Sequence, residues 1–159
     1  MGTSSFSGPI KIGPIKFTTG TTLGENIANV GTAVTVQSEA ITQAASTGQS
    51  AGVYQTSIVI PAGSLIHDIK LYVTTAWTGA ATTLGVGTTA LATKFTAAGA
   101  VAGGTIGAVS VNPGTDATRT AAFVNVGTAD NRIVITSSNT GSGAGTLVVT
   151  YVQPGSINP

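Results

Sequence analysis

Charge is what this sequence has least of. Asp, Glu, Lys and Arg make up 7% of its 159 residues, against roughly a quarter in an ordinary soluble protein. The cations Lys11, Lys16, Lys70, Lys94, Arg119 and Arg132 are scattered singly, and the formal net charge is +1. No basic stripe therefore exists to neutralise a run of phosphates, which argues against nucleic acid as a partner. Cysteine is absent, so disulfides and thiolate metal sites are excluded. No apolar run approaches the roughly 18 residues of a membrane span. The opening MGTSSFSGPIKIG also lacks the basic start, apolar run and cleavage site of a secretory signal.

What fills the space is Gly, Ala, Thr, Ser and Val, so the surface must be clothed mainly in hydroxyls and small side chains. A net charge near zero gives little self-repulsion in solution, and such a chain tends to associate. Composition leans towards a component of an assembly. The length suits one domain with a real core.

From residue 53 onward, short apolar runs alternate with Gly, Pro, Asn and Asp, the pattern of consecutive strands with tight connections. Strands are expected at 32–37, 53–60, 65–75, 82–87, 106–111, 121–126, 131–137 and 146–152. Pro61 and Gly63 in PAGS (61–64) suit a turn, predicting a hairpin between the second and third strands. SNTGSGAG predicts another between the last two. In 65–75 the odd positions Leu65, His67, Ile69, Leu71 and Val73 are expected to face inward. Short helical turns are conceivable at 38–46 and 90–98, where Thr and Gly weaken them. The expected architecture is all-β: an antiparallel β-sandwich or jelly roll of about eight strands. An extended N-terminal arm and linker (1–30) precedes the sandwich (31–153), and a tail (154–159) follows.

Chemistry finds little to use. GQSAG (48–52) matches the Gly-x-Ser-x-Gly elbow of serine hydrolases, but Ser50 precedes a strand instead of opening a helix, and His67 is the one possible base. GVGTTA (85–90) fits a loose dinucleotide loop without the helix or the acid such a loop needs. The acids are singletons, so zinc and calcium sites have no ligand set. Asp130, Asn131 and Arg132, and Asp116 with Arg119, read as turn residues and local ion pairs. Neither catalytic residues nor a cofactor nor a small-molecule substrate is expected. Trp77 reads as a cap on the core or as an interface ring.

The tetrad Gly-Pro-Ile-Lys occurs twice, at 8–11 and 13–16. In one continuous strand Ile10 and Ile12 would share a face while Ile15 and Phe17 pointed the other way, and each proline withholds an N–H. The segment therefore reads as two apolar grips joined by a kink, with a reach of roughly 50 Å at about 3.3 Å per residue. Ile10, Ile12, Ile15 and Phe17 are expected to enter a groove on a neighbouring subunit, with Lys11 and Lys16 at its rim. Pairing as the sandwich's own first edge strand is the alternative.

The runs Ile60-Pro61-Ala62-Gly63-Ser64, Val73-Thr74-Thr75-Ala76 and Leu84-Gly85-Val86-Gly87, with Asp130-x-Arg132-Ile133 leading to Tyr151, resemble small β-sandwich virion proteins of tailed bacteriophages. These are capsid decoration (cement) proteins, and the likeness covers about 53–153. The resemblance implies a non-enzymatic protein that binds the major capsid protein lattice and itself as a homo-oligomer, a trimer favoured. It also implies a place on the outer capsid surface, after assembly in the host cytoplasm. The competing expectation is a tail-fibre or head-fibre module that reads host glycans through Trp77, Tyr54 or Tyr72.

Overall fold

The computed structural model describes residues 32–154 other than 81 and 138. Eight strands and one helix follow in order: β1 (Thr32–Thr42), β2 (Val53–Ile60), β3 (Leu65–Thr75), β4 (Thr83–Thr88), β5 (Val101–Ala102), β6 (Gly107–Ser110), α1 (Ala117–Val124), β7 (Asn131–Ser137) and β8 (Ala144–Pro154). They form two antiparallel four-stranded sheets, ordered β1-β8-β3-β6 and β2-β7-β4-β5. Every connection except β4–β5 crosses from one sheet to the other, and the first and last strands lie side by side. This is the strand order of a jelly roll.

That order corrects two expectations. PAGS does not close a hairpin, because β2 pairs with β7 while β3 pairs with β8 and β6. The SNTGSGAG loop likewise joins strands of different sheets. Packed sheets lie about 10 Å apart, a distance that four extended residues can cross. A short Gly-rich loop therefore serves an arch as readily as a hairpin.

The core is the space between the sheets. Ile66, Ile69 and Leu71 of β3 stand opposite Tyr151, Val149 and Leu147 of β8 across their ladder, and Val73 of β3 and Ile58, Ile60, Val86, Ile133 and Ile135 of the other sheet are also buried. Burying each such side chain contributes about 1.5–3 kcal/mol. Inward alternation on β3 holds from Ile69 onward but not before it. The ladder shifts between Ile66 and Asp68, so Ile66 turns inward and Leu65 and His67 are exposed. One extra residue exchanges the faces.

Two further expectations fail. AAFVNV (121–126) is no strand, since most of it belongs to α1, whose N-cap Asp116 accepts the Arg119 backbone N–H at 2.9 Å. Phe123 of this helix meets Phe95 edge-on, with ring centroids 5.9 Å apart. The segment 38–46 continues β1 to Thr42 instead of turning helical, and 90–98 forms turns and bends. That second segment lies against the outer side of β4, which Gly85 and Gly87 make possible. A Cβ on Gly87 would collide with the Ala92 and Leu91 carbonyls.

Loops tie each end of the sandwich. At one end the side chain of Gln43 bonds to Thr78, Asn139 and Gly143, and the Trp77 backbone N–H donates to the Gly103 carbonyl at 2.8 Å. At the other end Gly63 N–H donates to Gly127 O at 2.8 Å and Val126 N–H to Ser64 O at 3.0 Å.

Candidate functional site

Most charged side chains among the described residues are committed to holding the fold. Glu39 of β1 accepts both the N–H and the hydroxyl of Ser57 at 2.6 Å, tying one sheet edge to the other. Beside it, burial first, then the Glu39 charge and hydrogen bond, push the Tyr54 phenol up from its ordinary value. The ammonium of Lys94 donates to Val126 O and Asn131 Oδ1, each at 2.7 Å, and burial lowers its pKa. The Arg119 backbone N–H holds the Asp116 carboxyl below the usual range. Burial opposes this, and the Arg119 guanidinium and Thr118 N–H reinforce it.

Asp116 and Arg119 also form the expected ion pair, at 3.6 Å. Asp130 instead accepts the Ala62 N–H at 3.0 Å, and Arg132 donates to Thr56 O at 3.0 Å, so these two anchor backbone. A groove of about 350 Å³ lies between the loop carrying Leu91 and Lys94 and the helix carrying Arg119 and Ala122. Its cations are the two whose bonds are described above.

Ser50 sits in an exposed turn before β2, with Gly48 (φ 78°) and Gly52 (φ 79°) flanking it, and its carbonyl accepts the Val53 N–H at 3.0 Å. His67 is exposed on β3, a strand of the other sheet. No hydrogen bond joins the two among the described residues. Nor is there the strand-to-helix turn that exposes a nucleophile. Gly85 to Thr88 belong to β4, and a turn follows where a dinucleotide loop requires a helix. No three His, Asp or Glu residues gather as metal ligands among the described residues.

The aromatic rings separate clearly. Trp77 is 1% exposed, its indole N–H donates to Ser137 Oγ at 3.0 Å, and the backbones of Gly103 and Gly143 lie against its ring. It caps the core and shows no face to solvent. Tyr54 is half-buried with its hydroxyl donating to Ala40 O at 3.3 Å. Tyr72 is the exposed ring of the three, at 44%.

What remains unspent is a surface, the outer face of the β1-β8-β3-β6 sheet. Strand alternation puts Val34 and Val36 of β1 on it, 68% and 61% exposed, with Leu65 and Tyr72 of β3. The half-buried Val148 and Val152 of β8 sit opposite Lys70 and Leu65, and Ala108 of β6 sits opposite Tyr72. Small and hydroxyl side chains fill the rest: Ser38, Ala40, Thr74, Ser110, Thr146 and Thr150. One ion pair interrupts it, Lys70 to Asp68 at 3.2 Å. Apolar and hydroxyl groups with few charges are what the centre of a protein contact is made of. Sequence reasoning missed Val34, Val36 and Leu65, although the polar-apolar alternation of TAVTVQ was visible. Which of its two faces is outward depends on the order of the sheets.

Ile10, Lys11, Ile12, Ile15, Lys16 and Phe17 lie outside the described residues, as do the segments 1–30 and 155–159.

No family model and no curated protein sequence matches the chain. Among solved structures it is similar to a chain of the "Cyanophage Pam1 capsid asymmetric unit", at 24% identity and a TM-score of 0.49, over 78% of this chain and 86% of that one. A likeness of that size leaves the role of this protein to its own residues.

Proposed function

We propose that this protein is a non-enzymatic structural component of a bacteriophage particle, one that decorates or cements the capsid by packing against its neighbours. The observation that carries the reading is the outer face of the β1-β8-β3-β6 sheet. It exposes Val34, Val36, Leu65 and Tyr72 with a single ion pair, in a chain of 7% charge. Surface so poor in charge suits a molecule whose neighbours cover it. A further support is that most of the charges serve the fold, as does Trp77.

In this reading the partners are the major capsid protein and other copies of the chain, on the outer surface of the virion. Ile10, Ile12, Ile15 and Phe17 are the capsid grips, with Lys11 and Lys16 at the rim of the groove they enter. Cryo-microscopy of the particle that carries the protein tests the location. Density on the icosahedral faces is expected, and density confined to the tail would refute the reading. Deleting residues 1–17 should leave thermal unfolding intact and abolish capsid binding; a deletion variant that binds normally removes the grips from the account.

A further inference from the structure

The outer row of β3 is arranged as a near-palindrome. Along the β8 ladder Leu65 stands opposite Val152, Asp68 opposite Thr150, Lys70 opposite Val148 and Tyr72 opposite Thr146. These partners are two residues apart at every step, so the four β3 positions fall on evenly spaced rungs of one face. The bulge between Ile66 and Asp68 makes this so, since without the extra residue Leu65 would face the core. Read along the strand, the row is apolar, negative, positive, aromatic. Its centre is the rung where Ile69 meets Val149.

A row of that kind is complementary to itself. A two-fold axis lying in the plane of contact and crossing β3 at Ile69 carries Asp68 onto Lys70 of a second copy and Lys70 onto its Asp68. The same rotation carries Leu65 towards Tyr72. An isologous interface has this requirement, that one patch match itself after a half turn. Val34, Val36, Val148 and Val152 widen the apolar area on the same face, and the Asp68 and Lys70 side chains, ion-paired with each other within the chain, are 35% and 43% exposed and so accessible to a partner's charges.

We infer that this face binds a second copy of the chain, sheet on sheet, with Asp68 and Lys70 exchanging partners across a two-fold axis. The inference rests on reading the face as a contact surface and goes further by naming its occupant. Four interleaved charges fix the register, and the apolar residues around them supply the buried area.

Charge reversal tests it, by sedimentation velocity on the full chain. The wild type should sediment as a dimer. Lys70→Glu makes the row doubly negative and Asp68→Lys makes it doubly positive, so each variant should lose at least about tenfold in association constant through like-charge repulsion. An equimolar mixture of the two should associate, and the double variant D68K/K70E should recover self-association. Unchanged thermal unfolding of each variant shows that folding is not what was lost; if one reversal fails to fold, the double variant still decides. A monomeric wild type, association indifferent to the reversals, or a trimer that ignores them would overturn the inference. A chain that pairs in solution as described but is absent from capsids would instead sink the virion reading alone.

Discussion

Gln43 is 1% exposed and all four hydrogen-bonding positions of its amide are used. Its Nε2 donates to Thr78 O at 2.7 Å and Asn139 O at 3.3 Å, while Oε1 accepts Thr78 N–H at 2.9 Å and Gly143 N–H at 3.1 Å. One side chain thus replaces backbone pairing where three loops meet. Gln43→Leu keeps the bulk but strands those groups, and about 2–4 kcal/mol should be lost, read as a lower midpoint in urea unfolding. Ser64 presents the opposite case. It is fully buried, and its hydroxyl has no hydrogen-bond partner among the described residues. Removing an unsatisfied polar group relieves its desolvation cost, so Ser64→Ala should be neutral or stabilising by up to about 1 kcal/mol in the same assay. Nothing in the sequence distinguishes these two residues from other loop Gln and Ser. Their roles come from which loops converge, and that is a property of the sheet order.

At the scale of elements, alternation was the reliable signal. β2, β3 and β7 occupy the residues their alternation predicts, 53–60, 65–75 and 131–137. The two-residue β5 was invisible because so short a run has no period to detect. The helix was misread because FVNV imitates a strand, although Asp116 followed by Ala117, Arg119, Ala121 and Ala122 is an N-cap with helix formers behind it. The helix also has an acid signature. The Asp116 pKa is depressed in the fold, so the carboxylate's contribution is fully present above the unfolded pKa and lost as pH falls through the folded one. Asp116→Asn keeps a capping oxygen and removes the charge. Its melting temperature should lie below that of the wild type at neutral pH, and the gap should close as acid protonates Asp116. A gap that persists unchanged at acid pH would assign the loss to something other than charge.

For the whole molecule, the connections that made hairpins fail also set the folding problem. β1 and β8 are neighbours in one sheet although they stand first and last among the strands, and β2 finds β7 across five intervening elements. The entropy of closing such loops is spent before the contacts that repay it can form, which places sandwiches of this order among slow two-state folders. A turn-rich sequence could not announce this, because PAGS and SNTGSGAG look the same whether they close a hairpin or an arch. Trp77 is the one tryptophan in the chain and lies in the core, against Gly143 of the β7–β8 loop and hydrogen-bonded to Ser137 at the end of β7. Its fluorescence therefore reports completion of the fold rather than local collapse. Stopped-flow refolding from urea should show the Trp77 signal recovering over about milliseconds to seconds. A chain ending before Ala144 should show no cooperative recovery, since β1 and β3 lose the strand that lies between them. Microsecond recovery, or a cooperative transition without β8, would mean that the two sheets form independently of the long-range order that defines the jelly roll.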